Sequence, residues 1–348
     1  MSQSDRVAML TGGSAPDVGV RKLLFVDGAM GAGTDGGLAV AQDGFVPATA
    51  MPASIALAAS FDPAMAERYG AVVGAEVRHR GFDGDYGPTV NIMRTPLGGR
   101  TYEGYGEDPF LDARTAVGWI QGAQGAGVMV SVKHFAENNQ EGQGGASPGD
   151  GANGGRLNVN VIVDDRTLHE IELPAFAAAV EQGHVAAVMC AYNQVNGSYA
   201  CDNPSLLQRV LRGQLGFGGI ILSDAGAAHS PPADLDAGLD YDIVGNSDNP
   251  VAVDLARADG QVSRTILDAR AHEYLRTLFA YGFFGRTGLR AGRSARAAST
   301  CWSAHPPVTF RCTRRSRRVA RPAARPGSRS RSVALRPRVD SPGSRSAR

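Results

Sequence analysis

The sequence predicts an α/β fold, a (β/α)8 TIM-like barrel, from two observations. Continuous apolar runs without two-residue alternation indicate buried parallel strands, and each such run ends in a polar cluster. Helix-like segments stand between the runs, as in βαβ units. A barrel of this kind needs about 250 residues, and residues 1–286 provide that length. A doubly wound open sheet is the alternative.

Four strand-like runs support this fold; they lie at residues 22–27, 128–135, 187–193 and 219–224. The carboxyl ends of parallel barrel strands meet at one mouth. We therefore expect the polar residues at those ends to share one pocket despite their distance in sequence. They are Asp27, Lys133, His134, Tyr192 and Asp224.

Five helices are predicted between and after the strands, at residues 63–80, 112–124, 165–182, 204–215 and 262–279. In the third, apolar residues such as Leu168, Ile171 and Phe176 recur at helical spacing. Asp164 or Asp165 is a plausible N-cap there.

Composition limits the class of protein. Of the 348 residues, 43% are hydrophobic, so a large core can form. No run of eighteen apolar residues predicts a transmembrane helix. The N-terminus lacks a basic start followed by an apolar region, which predicts a cytoplasmic protein without a secretory signal.

The net charge of +1 conceals two different regions. Residues 287–348 contain sixteen arginines, no lysine and one acidic residue, Asp340, so the rest of the chain carries −14. Hydrophobic periodicity ends at this segment, and such a composition predicts disorder. A nucleic-acid-binding arm is one explanation. Out-of-frame reading of a GC-rich gene is the other, and the absence of lysine favours it.

The four cysteines form no CxxC pair, so we expect no zinc site. Cys190 and Cys201 flank a turn-like stretch and could pair if oxidised, but a reducing cytosol favours two partly buried thiols. The glycine-rich stretch 142–155 has no GxxxxGK[ST] pattern, and we interpret it as a flexible connection. No metal or organic cofactor is implied.

Polar motifs at residues 94–109, 133–141, 189–197 and 219–224 stand in an order that resembles glycoside hydrolase family 3, the β-glucosidase and β-xylosidase group. The resemblance runs from about Val7 to Phe284. It implies retaining hydrolysis of β-glycosides from the non-reducing end, with a small-molecule glycoside as substrate.

The resemblance places the family's nucleophile on Asp224. An unperturbed aspartate is ionised at neutral pH and can attack an anomeric carbon. The alternative for Asp224 is a helix N-cap. The resemblance implies that Lys133 and His134 grip sugar hydroxyls, and that Asp27 and Arg100 clamp the sugar. A surface ion pair with Glu103 or Glu107 is the alternative for Arg100.

Tyr192 matches the family's tyrosine beside the nucleophile, and its hydroxyl could hold Asp224. Asp108, Asn138 and Glu141 are interpreted as positions that hold loops in place.

The sequence departs from the family pattern in two places. Ala225 replaces the tryptophan after the nucleophile, so stacking must come from another aromatic residue. The acid/base of most members lies in a second domain, but the family-like sequence stops near Phe284. Nor does this chain have the Lys-His-Phe-Pro-Gly-His loop that supplies a histidine acid elsewhere.

We therefore predict a barrel separated from its partner domain, with weak activity unless a carboxyl group such as Glu141 acts as the acid. An apolar face left uncovered by that domain predicts self-association. A sugar-binding protein without catalysis is the second hypothesis. A nucleic-acid-associated protein acting through its arginines is the third.

Overall fold

A computed structural model describes residues 1–33, 48–142, 155–243 and 250–284. All of them fall within one compact unit, Met1–Arg293. The basic segment 287–348 lies outside the described residues, as does most of the glycine-rich stretch 142–155. The predictions of disorder, of a flexible connection and of nucleic-acid binding therefore remain predictions.

The strands of the described residues form two sheets. They are β1 (Phe25–Asp27), β2 (Gly84–Tyr86), β3 (Met129–Phe135), β4 (Asn160–Val161), β5 (Ala187–Cys190), β6 (Gln194–Val195), β7 (Ser198–Tyr199) and β8 (Ile220–Ser223). The central sheet has the order β1-β2-β3-β5-β8 and is parallel throughout. A smaller sheet, β4-β6-β7, contains the hairpin that follows β5.

The helices connect and flank these strands. They are α1 (Gln3–Leu10), α2 (Ser54–Ala58), α3 (Pro63–His79), α4 (Pro109–Gly125), α5 (Gly155–Asn158), α6 (Asp165–Thr167), α7 (Pro174–Glu181), α8 (Pro231–Ala237), α9 (Pro250–Ala258) and α10 (Arg264–Ala280). The described part of the chain also contains two π-helical segments, Leu168–Glu172 and Ser205–Gln214, and two short 3-10 helices, Pro16–Val18 and Ala200–Asp202.

The predicted α/β class with a parallel sheet is confirmed. The four strand-like runs became β1, β3, β5 and β8. A parallel bridge between Leu222 and Tyr241 continues the sheet beyond β8. The central sheet thus has fewer strands, among the described residues, than the eight of the predicted barrel. No sequence pattern predicted β2, because its three residues include a glycine and an aspartate, which are rare in strands.

Helices α3 and α4 both begin with an aspartate N-cap followed by a proline. Asp62 accepts a hydrogen bond from the backbone of Ala64 at the start of α3, and Asp108 accepts one from Phe110 at the start of α4. A proline follows each aspartate at the first helical position, where its missing N–H costs nothing. Asp108 therefore holds a helix end in place, as the sequence indicated.

Helices α3 and α4 pack closely because glycines face the contact. A Cβ atom on Gly70 would lie 2.0 Å from the carbonyl oxygen of Trp119, and one on Gly122 would lie 1.9 Å from that of Glu67. No larger residue fits at either position without moving the backbone. Trp119, which lies in the helix predicted at residues 112–124, is fully buried in this layer.

Alternate strand residues pack into two cores on opposite faces of the sheet. Val130, Val188 and Ile221 join the core with α3, α4 and α7. Met129, Met189 and Leu222 join the core with α1 and α10. Burial on both faces explains why the strands read as continuous apolar runs.

The expectation of two partly buried thiols was wrong. Cys190 and Cys201 are fully buried and form a disulfide with their Cα atoms 5.2 Å apart. The bond connects the end of β5 to the turn after β7, so it closes the loop that contains Tyr192.

Candidate active site

The carboxyl ends of β1 and β3 meet through an ion pair. Lys133 donates a 2.9 Å hydrogen bond from Nζ to Oδ1 of Asp27. Lys133 is almost wholly buried, whereas 29% of the Asp27 side chain is exposed. Asp27 therefore keeps free surface from which its carboxylate can also accept bonds from a ligand.

His134, next along β3, is fixed by Asn91. The amide oxygen of Asn91 accepts from the backbone N–H of His134 at 2.9 Å and lies 3.2 Å from ring atom Nδ1. Burial, with the nearby charges of Arg100 and Lys133, lowers the pKa of His134 well below its usual value. The neutral ring then has its proton on Nδ1, and Nε2 accepts from Arg100 at 3.2 Å.

Asp224 follows β8 and lies beside His134. Its Oδ2 is 3.5 Å from Nε2 of that ring. Because the ring is neutral and Nε2 carries no proton, this contact is not a salt bridge. Burial raises the pKa of Asp224, while Lys133, the backbone N–H of Ala225, Arg156 and Arg100 all favour the ionised form. Three cations thus act on one carboxylate.

The N-cap alternative for Asp224 does not hold. Its side chain accepts from the backbone of the next residue, Ala225, at 2.7 Å, within a turn. The helix that follows, α8, begins at Pro231 with Ser230 as its N-cap.

Tyr192 lies beside the nucleophile candidate but donates elsewhere. Its hydroxyl gives a 2.6 Å hydrogen bond to the carbonyl of Ala225. Burial and the charge of Asp224 raise the pKa of Tyr192, so the phenol stays protonated. The contact fixes the turn after Asp224.

Arg100 is half-buried, with 21% of its side chain exposed, and belongs to a network of charged residues. It contacts Glu141 at 2.8 Å and Glu103 at 3.4 Å, in addition to His134. Burial lowers and the carboxylates of Glu103 and Glu141 raise the pKa of Arg100, and the net shift is upward. The alternative of an ion pair with Glu103 is therefore part of a larger network.

Arg156 is a residue of this site that sequence reasoning missed. It follows the glycine-rich stretch, at the start of α5, and pairs with Glu141 at 2.9 Å. Its guanidinium lies 4.4 Å from the centre of the Tyr192 ring, in a cation–π contact. Its charge also favours the ionised form of Asp224.

A second polar cluster lies under the loop after β3. Glu137 and Glu172 are both buried and share one arginine, Arg94, at 3.4 and 2.8 Å. Burial and the charge of Glu172 raise the pKa of Glu137 to about 7. Glu137, in the loop between β3 and Glu141, is therefore a carboxyl group with a pKa near neutral pH.

The cavity next to Arg100 and His134 is small. Its volume is about 30 Å³, and polar residues such as Asn91, Asn138 and Glu141 line it. That is room for one or two water molecules, and the cavity is distinct from the surface around Asp27 and Asp224, which do not line it.

Two further kinds of feature are absent from residues 1–33, 48–142, 155–243 and 250–284. No three His, Cys, Asp or Glu side chains there come together as metal ligands. No helix there is long and apolar enough to cross a membrane.

The fold is that of a glycoside hydrolase domain. The family model "Glycosyl hydrolase family 3 N terminal domain" matches residues 35–267. The chain belongs to glycosyl hydrolase family 3.

Named relatives agree with this assignment. A beta-glucosidase from Rhizobium radiobacter is 36% identical over 291 residues, which are 82% of this chain and 34% of the relative. Beta-glucosidase BoGH3A from Bacteroides ovatus is 44% identical over 195 residues, or 56% of this chain and 24% of the relative. The chain thus spans about a third or less of the length of these relatives.

Solved structures show the same fold. Beta-glucosidase 3B from Thermotoga neapolitana, in complex with alpha-D-glucose, superposes with a TM-score of 0.72 at 30% identity, covering 82% of this chain and 43% of that one. DesR, a beta-glucosidase from Streptomyces venezuelae in complex with D-glucose, gives 0.70 at 34% identity, covering 84% and 38%.

Proposed function

We propose that this site binds the terminal glucosyl unit of β-glucosides and that Asp224 attacks its anomeric carbon, with retention of configuration. One observation supports the proposal above all. A half-buried carboxylate at a strand end, with 15% of its side chain exposed, lies beside the neutral ring of His134 and interacts with the charges of Lys133, Arg100 and Arg156. Burial dominates and shifts the pKa of Asp224 upward, but the three cations oppose that shift and favour the ionised form, which is the form that attacks.

The other residues suit a ligand rich in hydroxyl groups. Asp27 is partly exposed and accepts, whereas Lys133 and Arg100 donate. Tyr192 supports the turn after Asp224 through Ala225. Complexes of relatives with glucose favour glucose as the sugar. The proposed substrate is accordingly a small β-glucoside cleaved from its non-reducing end.

Protonation of the leaving group is the step that this site supports least. A retaining mechanism needs a second carboxyl group about 5 Å from the nucleophile. Glu141 is a carboxylate at this site, but Arg100 contacts its Oε1 and Arg156 contacts its Oε2, so both oxygens are already engaged. General acid help is worth about 10²- to 10⁴-fold. We therefore expect this site to act mainly on glucosides with good leaving groups.

Turnover of two substrates by the purified 348-residue chain tests the proposal. We expect slow release of dinitrophenol from dinitrophenyl β-glucoside, β-glucose as the first product by NMR, and almost no cleavage of cellobiose. α-Glucose as the first product would refute retention. Robust cellobiose cleavage would refute the leaving-group argument unless Glu141→Gln abolishes it, in which case Glu141 is the acid.

A sugar-binding protein without catalysis is the second candidate, favoured by the ion pairs that engage Glu141, a carboxylate of this site, with Arg100 and Arg156. Calorimetric titration with glucose distinguishes the two. Glucose binding without any release of dinitrophenol would support this candidate, whereas binding together with release supports the enzyme.

A further inference from the structure

We propose that Asn91 is a positioning residue for the reaction: it holds the ring of His134 in the form that cannot make an ion pair with Asp224. The proposal rests on the function proposed above, because it concerns the residue assigned there as nucleophile. It adds a part in the reaction for a buried amide that acts only through another side chain.

The orientation of the Asn91 amide is fixed by two backbone hydrogen bonds. Asn91 is buried in the segment that follows β2. Its Nδ2 donates to the carbonyl of His134 at 2.9 Å, and its Oδ1 accepts from the backbone N–H of His134 at 2.9 Å. The reverse orientation would place two donors together and two acceptors together. The atom of this amide that faces the ring is therefore the oxygen.

This oxygen decides where the ring carries its proton. Oδ1 of Asn91 lies 3.2 Å from Nδ1 of His134, and an amide oxygen only accepts, so Nδ1 is the protonated nitrogen. Nε2 on the other side of the ring lies 3.2 Å from Nη2 of Arg100, and a guanidinium only donates. Two separate contacts thus require the same tautomer, with a lone pair on Nε2.

The charge of the ring matters because of what lies beside Nε2. Oδ2 of Asp224 is 3.5 Å from that atom. A second proton on the ring would be carried by Nε2, where it would bind the carboxylate in an ion pair and oppose the donor of Arg100. Burial and the charges of Arg100, Lys133 and Arg156 lower the pKa of His134 and disfavour that proton. The neutral ring leaves the carboxylate free to attack.

An amide at position 91 is suited to this task because it accepts without carrying a charge. Aspartate has nearly the same shape, but its carboxylate next to Nδ1 would favour the imidazolium form of His134. The exchange of Asn91 for aspartate therefore changes the charge of the ring more than it changes the packing.

The ratio of variant to wild-type kcat/KM for dinitrophenyl β-glucoside, measured at pH 5 and pH 8, tests the proposal. We expect Asn91→Asp to lose at least about tenfold at pH 5 and to recover most of that loss at pH 8, where the ring gives up its second proton. Asn91→Leu has a similar shape but no charge, and it should lose activity by the same factor at both pH values. Asn160→Asp, at an exposed position of β4, is the matched control and should equal the wild type.

Nitrogen NMR of the histidine side chains measures the ring separately from turnover, with His134→Gln to assign its signals. We expect a neutral wild-type ring with its proton on Nδ1 from pH 5 to pH 8, and a ring that titrates in Asn91→Asp. A wild-type ring with its proton on Nε2 would overturn the proposal. So would an Asn91→Asp ratio that is equal at the two pH values.

Failure of the proposed function gives a different pattern. If the wild-type chain releases no dinitrophenol at either pH, the role of Asp224 is wrong and the part of Asn91 in the reaction falls with it, even where NMR shows the proton on Nδ1. If dinitrophenol is released while the wild-type ring carries its proton on Nε2, the proposed function stands and the role of Asn91 is refuted.

Discussion

Lys133 and Asp27 are joined by a 2.9 Å hydrogen bond between residues 106 positions apart in sequence. Their strands, β3 and β1, are not neighbours, because β2 lies between them. The ion pair thus bridges three strands at the end of the sheet where the other candidate site residues are found. A buried ammonium in this position depends on its carboxylate.

Removing that carboxylate should weaken both folding and sugar binding. Asp27→Ala leaves the buried Lys133 without its partner at β1, and we expect the free energy of unfolding to fall by about 2–3 kcal/mol. The figure is below that of a fully buried pair because Asp27 is partly exposed. Urea denaturation measures it, with exposed Asp17→Ala as the control. An equal fall in the free energy of unfolding for Asp27→Ala and Asp17→Ala would contradict a stabilising ion pair between Asp27 and Lys133.

Replacing Asp224, the proposed nucleophile, should separate binding from chemistry. Asp224→Asn keeps the shape of the side chain but cannot attack, so release of dinitrophenol should fall by more than about a thousandfold. Glucose affinity should stay within a few fold. Exposed Asp236→Asn, on α8, is the control and should keep full activity. An Asp224→Asn variant that still turns over would exclude this residue as nucleophile.

Glu137 should make stability fall as the pH rises. Its pKa is raised from 4.5 to about 7 by burial and by Glu172. Between those two values the folded chain holds a proton that the unfolded chain releases. The contribution to stability is therefore complete below about pH 4.5 and lost as the pH rises through about 7.

Unfolding in urea at pH 5.5 and pH 8 measures this dependence. Glu137→Gln should remove most of the difference in the free energy of unfolding between the two pH values and should stabilise the chain at pH 8. The exposed control Glu181→Gln should leave that difference unchanged. An unchanged pH dependence in Glu137→Gln would show that another group is responsible.

The disulfide between Cys190 and Cys201 should contribute measurably to stability. The two cysteines are 11 positions apart in sequence. A disulfide that closes a loop of this length restricts the unfolded chain and raises the free energy of unfolding by about 3 kcal/mol. We expect the Cys190→Ala/Cys201→Ala variant to unfold more easily by about that amount. Thiol titration of the unfolded wild type gives the count of free cysteines. A result of four free thiols would contradict the bond.

The sequence was sufficient for the parts of this fold that rest on apolar runs and on motifs. Buried strands such as β3 and β8 are continuous in hydrophobicity, and their polar ends identified Lys133, His134 and Asp224. The end of another such strand, β1, identified Asp27, whereas Arg100 came from the family resemblance. The structure joins all five in one network of contacts and charges.

Other features left no signal in the sequence because they depend on long-range contacts. Arg156 reaches Glu141 across the glycine-rich stretch, and neither residue indicates the other by spacing. Glu137 and Glu172 belong to separate segments, so no sequence pattern predicted that both contact Arg94. The thiol prediction for Cys190 relied on an assumed compartment rather than on geometry. Predictions from a pattern fail where tertiary contacts decide.

The most direct test of the central claim is covalent labelling with dinitrophenyl 2-deoxy-2-fluoro-β-glucoside, which traps a glycosyl-enzyme intermediate without needing an acid. Peptide mass spectrometry of the labelled chain should locate the fluoroglucosyl group on Asp224. The claim would be contradicted by a label on another carboxylate, such as Glu141, or by no label on a chain that binds glucose.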